Sequence, residues 1–140
     1  MNFEIKIDKK KVIDFLHIMS GHLGIKLQLP DIFSSTDDDA LRIAQMWKMS
    51  ADELLQLLSP YAVMNFNDAT VVYELSLPTN WDVRQADNLS EYCNAYVRYE
   101  LFALWLDYIK PDYASLQRTL GGAVASAIRR VLALRCPPAR

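Results

Sequence analysis

Cysteine is scarce in this chain, with two residues, at 93 and 136, among 140. No Cys-x-x-Cys occurs, and a single pair makes no disulfide scaffold. Cys93 lies in an apolar helical pattern and reads as a core thiol, while Cys136 belongs to a Cys-Pro-Pro-Ala-Arg tail. Such usage fits a reducing cytoplasm. Long apolar runs are missing as well. The best stretch, LGGAVASAI at 120–128, falls far short of the roughly 20 residues needed to span a bilayer. The opening MNFEIKIDKKK places its charges after a short apolar alternation, the reverse of a secretory signal. A soluble, cytoplasmic protein is expected.

Glycine-based motifs are absent too. There is no Gly-x-Gly-x-x-Gly, no phosphate loop and no Gly-x-Ser-x-Gly elbow. No cofactor, no metal and no catalytic residue is expected. His17 and His22 are five residues apart, which on a helix sets them about 140° apart and unable to share one ion easily. Asp14 and His17 share a face, but two ligands do not make a site. Asp37-Asp38-Asp39 lacks calcium-loop spacing and is explained by a helix start that favours negative charge.

Excess charge is also lacking. The net charge is −2, so nothing draws the whole chain toward nucleic acid or an anionic membrane. The distribution is uneven, however. Residues 111–140 hold Arg118, Arg129, Arg130, Arg135 and Arg140 against Asp112, a local net charge of +4, which leaves −6 on the rest. These arginines either complement the dipole of a last helix or form a basic patch that contacts anions.

What remains is an ordinary globular composition, 51% apolar and 23% charged. One domain spanning 1–140 is expected, mainly α (α+β), with four to five helices and a small two-stranded antiparallel ribbon. Phe3, Ile5 and Ile7 alternate with charged residues, predicting a strand over 2–8. Val71, Tyr73, Leu75 and Leu77 predict a second over 70–77. Val12, Phe15, Leu16, Met19 and Leu23 mark a helix over 9–22. Residues 25–35 read as a connection. The helical segments 37–48 and 51–64 are either two short helices or one bent one, with Leu41, Ala44 and Trp47 turned inward. Two long helices, 84–109 and 112–135, should be antiparallel neighbours. The second shows the stripe Tyr113, Leu116, Leu120, Val124, Ile128 and Val131. Gly121 and Gly122 stand one turn from Ala125 and Ser126, so another backbone can approach closely, from within the chain or from a second copy.

Residues 40–58 have the outline of a helix-turn-helix, with 51–59 as the recognition helix. That helix carries Asp52 and Glu53 and no basic residue, and no lysine or arginine lies between Lys48 and Arg84. Phosphate would be repelled, so a DNA-binding regulator is only the alternative function. The stretch LSLPTNWDV raises a different choice. Trp81 is either folded over a strand–helix joint or held out as a contact.

Helix 84–109 carries the most specific signal. Arg84, Asp87, Glu91, Asn94 and Arg98 share one polar line, and the same line continues through Phe102, Trp105 and Ile109. Glu100 and Asp107 point the opposite way. The water-facing side therefore switches midway, and the second half needs cover from its own chain or from another subunit.

The order of segments suggests a family. A strand-like start and the acidic TDDD helix start with a downstream tryptophan are followed by YELSLPTNWD. The aromatic EYCNAYVRYELFALWLDYIKPD and the basic RRVLALRCPP complete the pattern. In this it resembles a group of small prophage-type proteins of Bacteroides-like gut bacteria, encoded near tail and head–tail genes. The resemblance implies a non-enzymatic virion assembly role, as a head–tail connector or tail-completion subunit. Partners would be further copies of the chain or other particle proteins. The contact candidates are Phe102, Trp105, Ile109, Arg129, Arg130 and Arg135.

Overall fold

In a computed structural model, the described residues are 2–22, 37–109 and 111–136. The order is β1 (Asn2–Asp8), α1 (Lys9–His22), α2 (Asp37–Leu58), β2 (Ala62–Phe66), β3 (Thr70–Ser76), α3 (Ala86–Ile109) and α4 (Pro111–Ala133). A 3-10 turn, Val83–Gln85, leads into α3, capped by Asp82, whose carboxylate accepts from the Arg84 N–H. Among the described residues the fold is mainly helical, with four helices and a three-stranded antiparallel sheet ordered β1-β3-β2. The connection expected over 25–35 lies outside the described residues.

β3 is central. Ile5 faces Tyr73 and Ile7 faces Val71 on one side. Met64 faces Tyr73 and Phe66 faces Val71 on the other. These side chains line the helix-covered face of the sheet, while Glu4, Lys6, Val63, Asn65 and Glu74 point to water. The expected two-stranded ribbon is thus a three-stranded sheet. β2 occupies residues assigned from sequence to the end of a helix. Proline has no N–H to donate and disfavours helical backbone in the residue before it. The helix accordingly stops at Leu58, ahead of Ser59-Pro60. The β2–β3 turn is closed by Asn67, whose side-chain oxygen accepts from the N–H groups of Ala69 and Thr70, both at 2.8 Å.

α2 is one unbroken helix rather than two. The Ser50 hydroxyl donates back to the Met46 carbonyl at 2.9 Å, inside the helix, instead of capping a new one. The helix-turn-helix outline of 40–58 is therefore not formed. Its inner face runs Ile43, Met46, Trp47, Ser50, Ala51, Leu54 and Leu58. Leu41, expected inside, is 63% exposed. Two bonds fasten this helix to the sheet. The Trp47 indole N–H donates to the Asn67 carbonyl at 3.1 Å, and the Tyr73 hydroxyl donates to the Ala51 carbonyl at 2.7 Å.

α3 lies between neighbours on both flanks. Its first half buries Leu89, Cys93, Tyr96 and Val97, and its second half buries Leu101, Phe102, Ala103, Trp105 and Leu106. Asp87 and Glu91 are exposed early, Asp107 and Tyr108 late. The water-facing side does switch. The cover over the second half, however, comes from the chain itself, with α4 on one flank and α1 and α2 on the other.

α4 is turned differently from its apolar stripe. The buried line against α3 is Ala114, Gln117, Gly121, Ala125 and Ile128, whereas Tyr113 and Leu116 are 45% and 54% exposed. Small residues let two backbones approach, and a Cβ built on Gly121 would meet the Tyr99 Cβ at 3.6 Å. Gly122 faces open space, with nothing within 4 Å of such a Cβ. The glycine pair therefore splits. Gly121 serves the internal helix contact, and Gly122 has no contact among the described residues to explain it.

Candidate contact groove at the end of the helical hairpin

The end of α4 meets the sheet through Trp81. This residue is buried, stacks on Phe3 with ring centroids 5.5 Å apart, and bridges to Arg135. LSLPTNWDV is thus a structural joint. Beside it the last turns of α2, the Ser59-Pro60-Tyr61 turn, the middle of α3 and the last turns of α4 enclose an open-sided groove of about 740 Å³. This volume is in the range of ligand-binding clefts, about 300–1,000 Å³.

α2 contributes Glu53, Gln56 and Leu57, α3 contributes Tyr96, and α4 contributes Ala125, Arg129, Leu132 and Ala133, with Arg135 just beyond. The spacing of Ala125, Arg129 and Ala133 is one turn each, so all three fall on the same side of α4. Leu57, Ala125 and Leu132 give the groove its apolar parts.

The two arginines differ in state. Arg135 donates through one terminal nitrogen to the Leu132 and Leu134 carbonyls at 2.7 and 2.9 Å, and the other nitrogen lies 3.5 Å from the Tyr61 hydroxyl. It satisfies orphan carbonyls at the negative end of α4. Arg129 forms no ion pair among the described residues. The Tyr96 phenol feels burial first and then the charges of Glu100 and Glu53, which together push it up to about 12 against the opposing pull of Arg129. It stays protonated and available as a donor. Glu100 is raised from the ordinary carboxylate value by burial, then by the Glu53 charge. Glu53, Glu100 and Arg129 thus all act on the Tyr96 phenol, drawn from α2, α3 and α4.

Of the sequence candidates, Arg129 and Arg135 come together in this groove. Arg130 is exposed on α4 but does not line it. Phe102 and Trp105 are 0% and 2% exposed, which corrects their assignment as outward contacts. The Trp105 indole N–H has no partner among the described residues, so its role is packing. Ile109 ends α3, and its side chain lies outside the described residues, as do those of His17 and His22. Among the described residues no group of three or more His, Cys, Asp or Glu side chains is placed to hold a metal ion. Sequence reasoning missed Glu53, Gln56, Tyr61 and Tyr96. They come from α2, the turn after it and α3, and only the tertiary fold joins them.

No family model matches the chain, and no curated protein and no solved structure matches it either.

Proposed function

We propose that the protein is a non-enzymatic structural or assembly protein that works by docking another protein in the groove around Arg129. The observation that carries this is an arginine without an ion pair among the described residues, set in an open-sided groove with apolar and hydrogen-bonding walls. Desolvated pockets that combine aromatic or aliphatic anchors with a charged group are where interface energy concentrates. The setting is a phage-like particle of the head–tail connector or tail-completion type, on the resemblance carried by YELSLPTNWD and the flanking segments. Among the described residues no helix is long and apolar enough to cross a membrane. The regulator alternative loses its support, since α2 is continuous and its C-terminal half presents Asp52 and Glu53.

The test is co-expression of the chain with the products of the genes flanking its own. Wild-type protein should co-purify with one of them, and Arg129→Glu should not, with circular dichroism unchanged. Co-purification that survives Arg129→Glu contradicts the groove as the docking face. Light scattering at several concentrations adds whether further copies of the chain are among the partners.

A further inference from the structure

The geometry points to an acidic linear segment of the partner as the occupant of the groove, one carboxylate meeting Arg129 and an adjacent apolar side chain settling among Leu57, Ala125 and Leu132. This rests on the docking role proposed above and names the chemistry of the ligand.

Charge complementarity is the first argument. The groove gathers Arg129 and Arg135 against Glu53, a local excess of one positive charge in a chain whose net charge is −2. Arg135 is committed to the carbonyls of Leu132 and Leu134, which fixes its position and leaves Arg129 as the cation open to a ligand. A guanidinium offers planar paired donors that match a carboxylate better than an ammonium would. Alanines stand one turn before and one turn after Arg129, which leaves the guanidinium accessible between them.

The second argument is the donor set. Tyr96 stays neutral and protonated, and Gln56 and Ser59 add further donors on the α2 side. A carboxylate or peptide carbonyl finds neutral donors there. Glu53 sets the upper limit. It faces the same space, so each negative charge beyond the one that meets Arg129 adds repulsion with no cation left to offset it. The groove thus favours a lone acidic side chain over a dense run of negative charge such as a nucleic-acid backbone.

The experiment uses the full chain and a short fluorescent peptide with one glutamate flanked by leucines, followed by polarisation. Controls are the same peptide with glutamine for glutamate and a single-stranded oligonucleotide. Saturable binding of the acidic peptide is expected, with at least about tenfold loss for the glutamine peptide, a change of about 1.4 kcal/mol. Arg129→Gln should produce a similar loss, Arg129→Lys a smaller one, and Arg130→Gln none. Equal binding of the two peptides, equal losses in Arg129→Gln and Arg130→Gln, tighter binding of the oligonucleotide, or no peptide binding at all would each overturn the inference. Those failures are separable from failure of the docking role, which is read from co-purification with the natural partner and needs no peptide.

Discussion

Trp81 donates its indole N–H to the Val131 carbonyl at 2.9 Å, tying the strand–helix joint to the last turns of α4, which form one wall of the groove. Phe3 stacks on the same indole, so β1, the joint and α4 meet on one side chain. Trp81→Phe retains much of the ring packing and loses the hydrogen bond. Val131 still accepts from the Leu134 N–H, so the expected cost is about 1 kcal/mol. Trp81→Ala also opens a cavity and is expected to cost about 3–5 kcal/mol. Urea titration of both variants checks the two values.

Gly122→Ala is expected to stabilise the protein by about 0.5–1 kcal/mol, because a mid-helix glycine is replaced where the new Cβ meets nothing. Gly121→Ala should be tolerated, since its Cβ reaches only ordinary contact with Tyr99. Gly121→Leu should be strongly destabilising, as it forces α3 and α4 apart. Thermal midpoints of the three variants order them.

On the outer face of the sheet Glu4 lies directly opposite Glu74, two like charges across paired strands. Glu74 already accepts from the Asn65 side chain at 3.2 Å, so Glu4 is the residue to change. Glu4→Lys should stabilise by about 0.2–1 kcal/mol. The gain should shrink in about 1 M salt, where screening is short-ranged. Denaturation of both proteins at low and high salt measures it.

Glu100 gives a pH signature. Its folded-state pKa lies above the ordinary value of 4.5, through burial and then the Glu53 charge. Between the unfolded and folded values the native state holds more protons, so its contribution to stability falls as pH rises through that window. The penalty is complete above the folded pKa. Glu100→Gln should therefore be more stable than wild type at neutral pH, with the advantage vanishing below the ordinary carboxylate range. Asp107, held low by its bond to Arg118, acts in the opposite sense and weakens the fold on strong acidification. Stability curves from acidic to neutral pH separate the two.

Much of the fold is legible in the residues. The alternation of Phe3, Ile5 and Ile7 and that of Val71, Tyr73 and Leu75 mark β1 and β3. Pro111 divides the two long helices where expected, at the first position of α4. β2 escaped because Leu54, Leu55, Leu57 and Leu58 set a helical period that the apolar residues of Tyr61–Met64 extend, while the decisive signal was the single Ser59-Pro60 step. The rotation of α4 escaped because large apolar residues at 113 and 116 outweigh small ones at 114, 121 and 125 in a hydropathy pattern. Backbone approach across α3 and α4 favours the small ones instead. The switching face of α3 was legible, but not what covers it. In the groove only Arg129 and Arg135 announced themselves, through the basic C-terminal bias. Glu53, Tyr61 and Tyr96 have ordinary neighbours in sequence and acquire their setting from three different elements.

The most direct measurement of the docking role places a photo-crosslinking amino acid at Gln56, inside the groove, and in a separate protein at Ser126, exposed on α4 outside it. Each is irradiated while co-expressed with the products of the flanking genes. Adducts to a partner from position 56 and none from position 126 are predicted. Adducts from position 126 alone, or equally from both, would contradict the groove as the docking face.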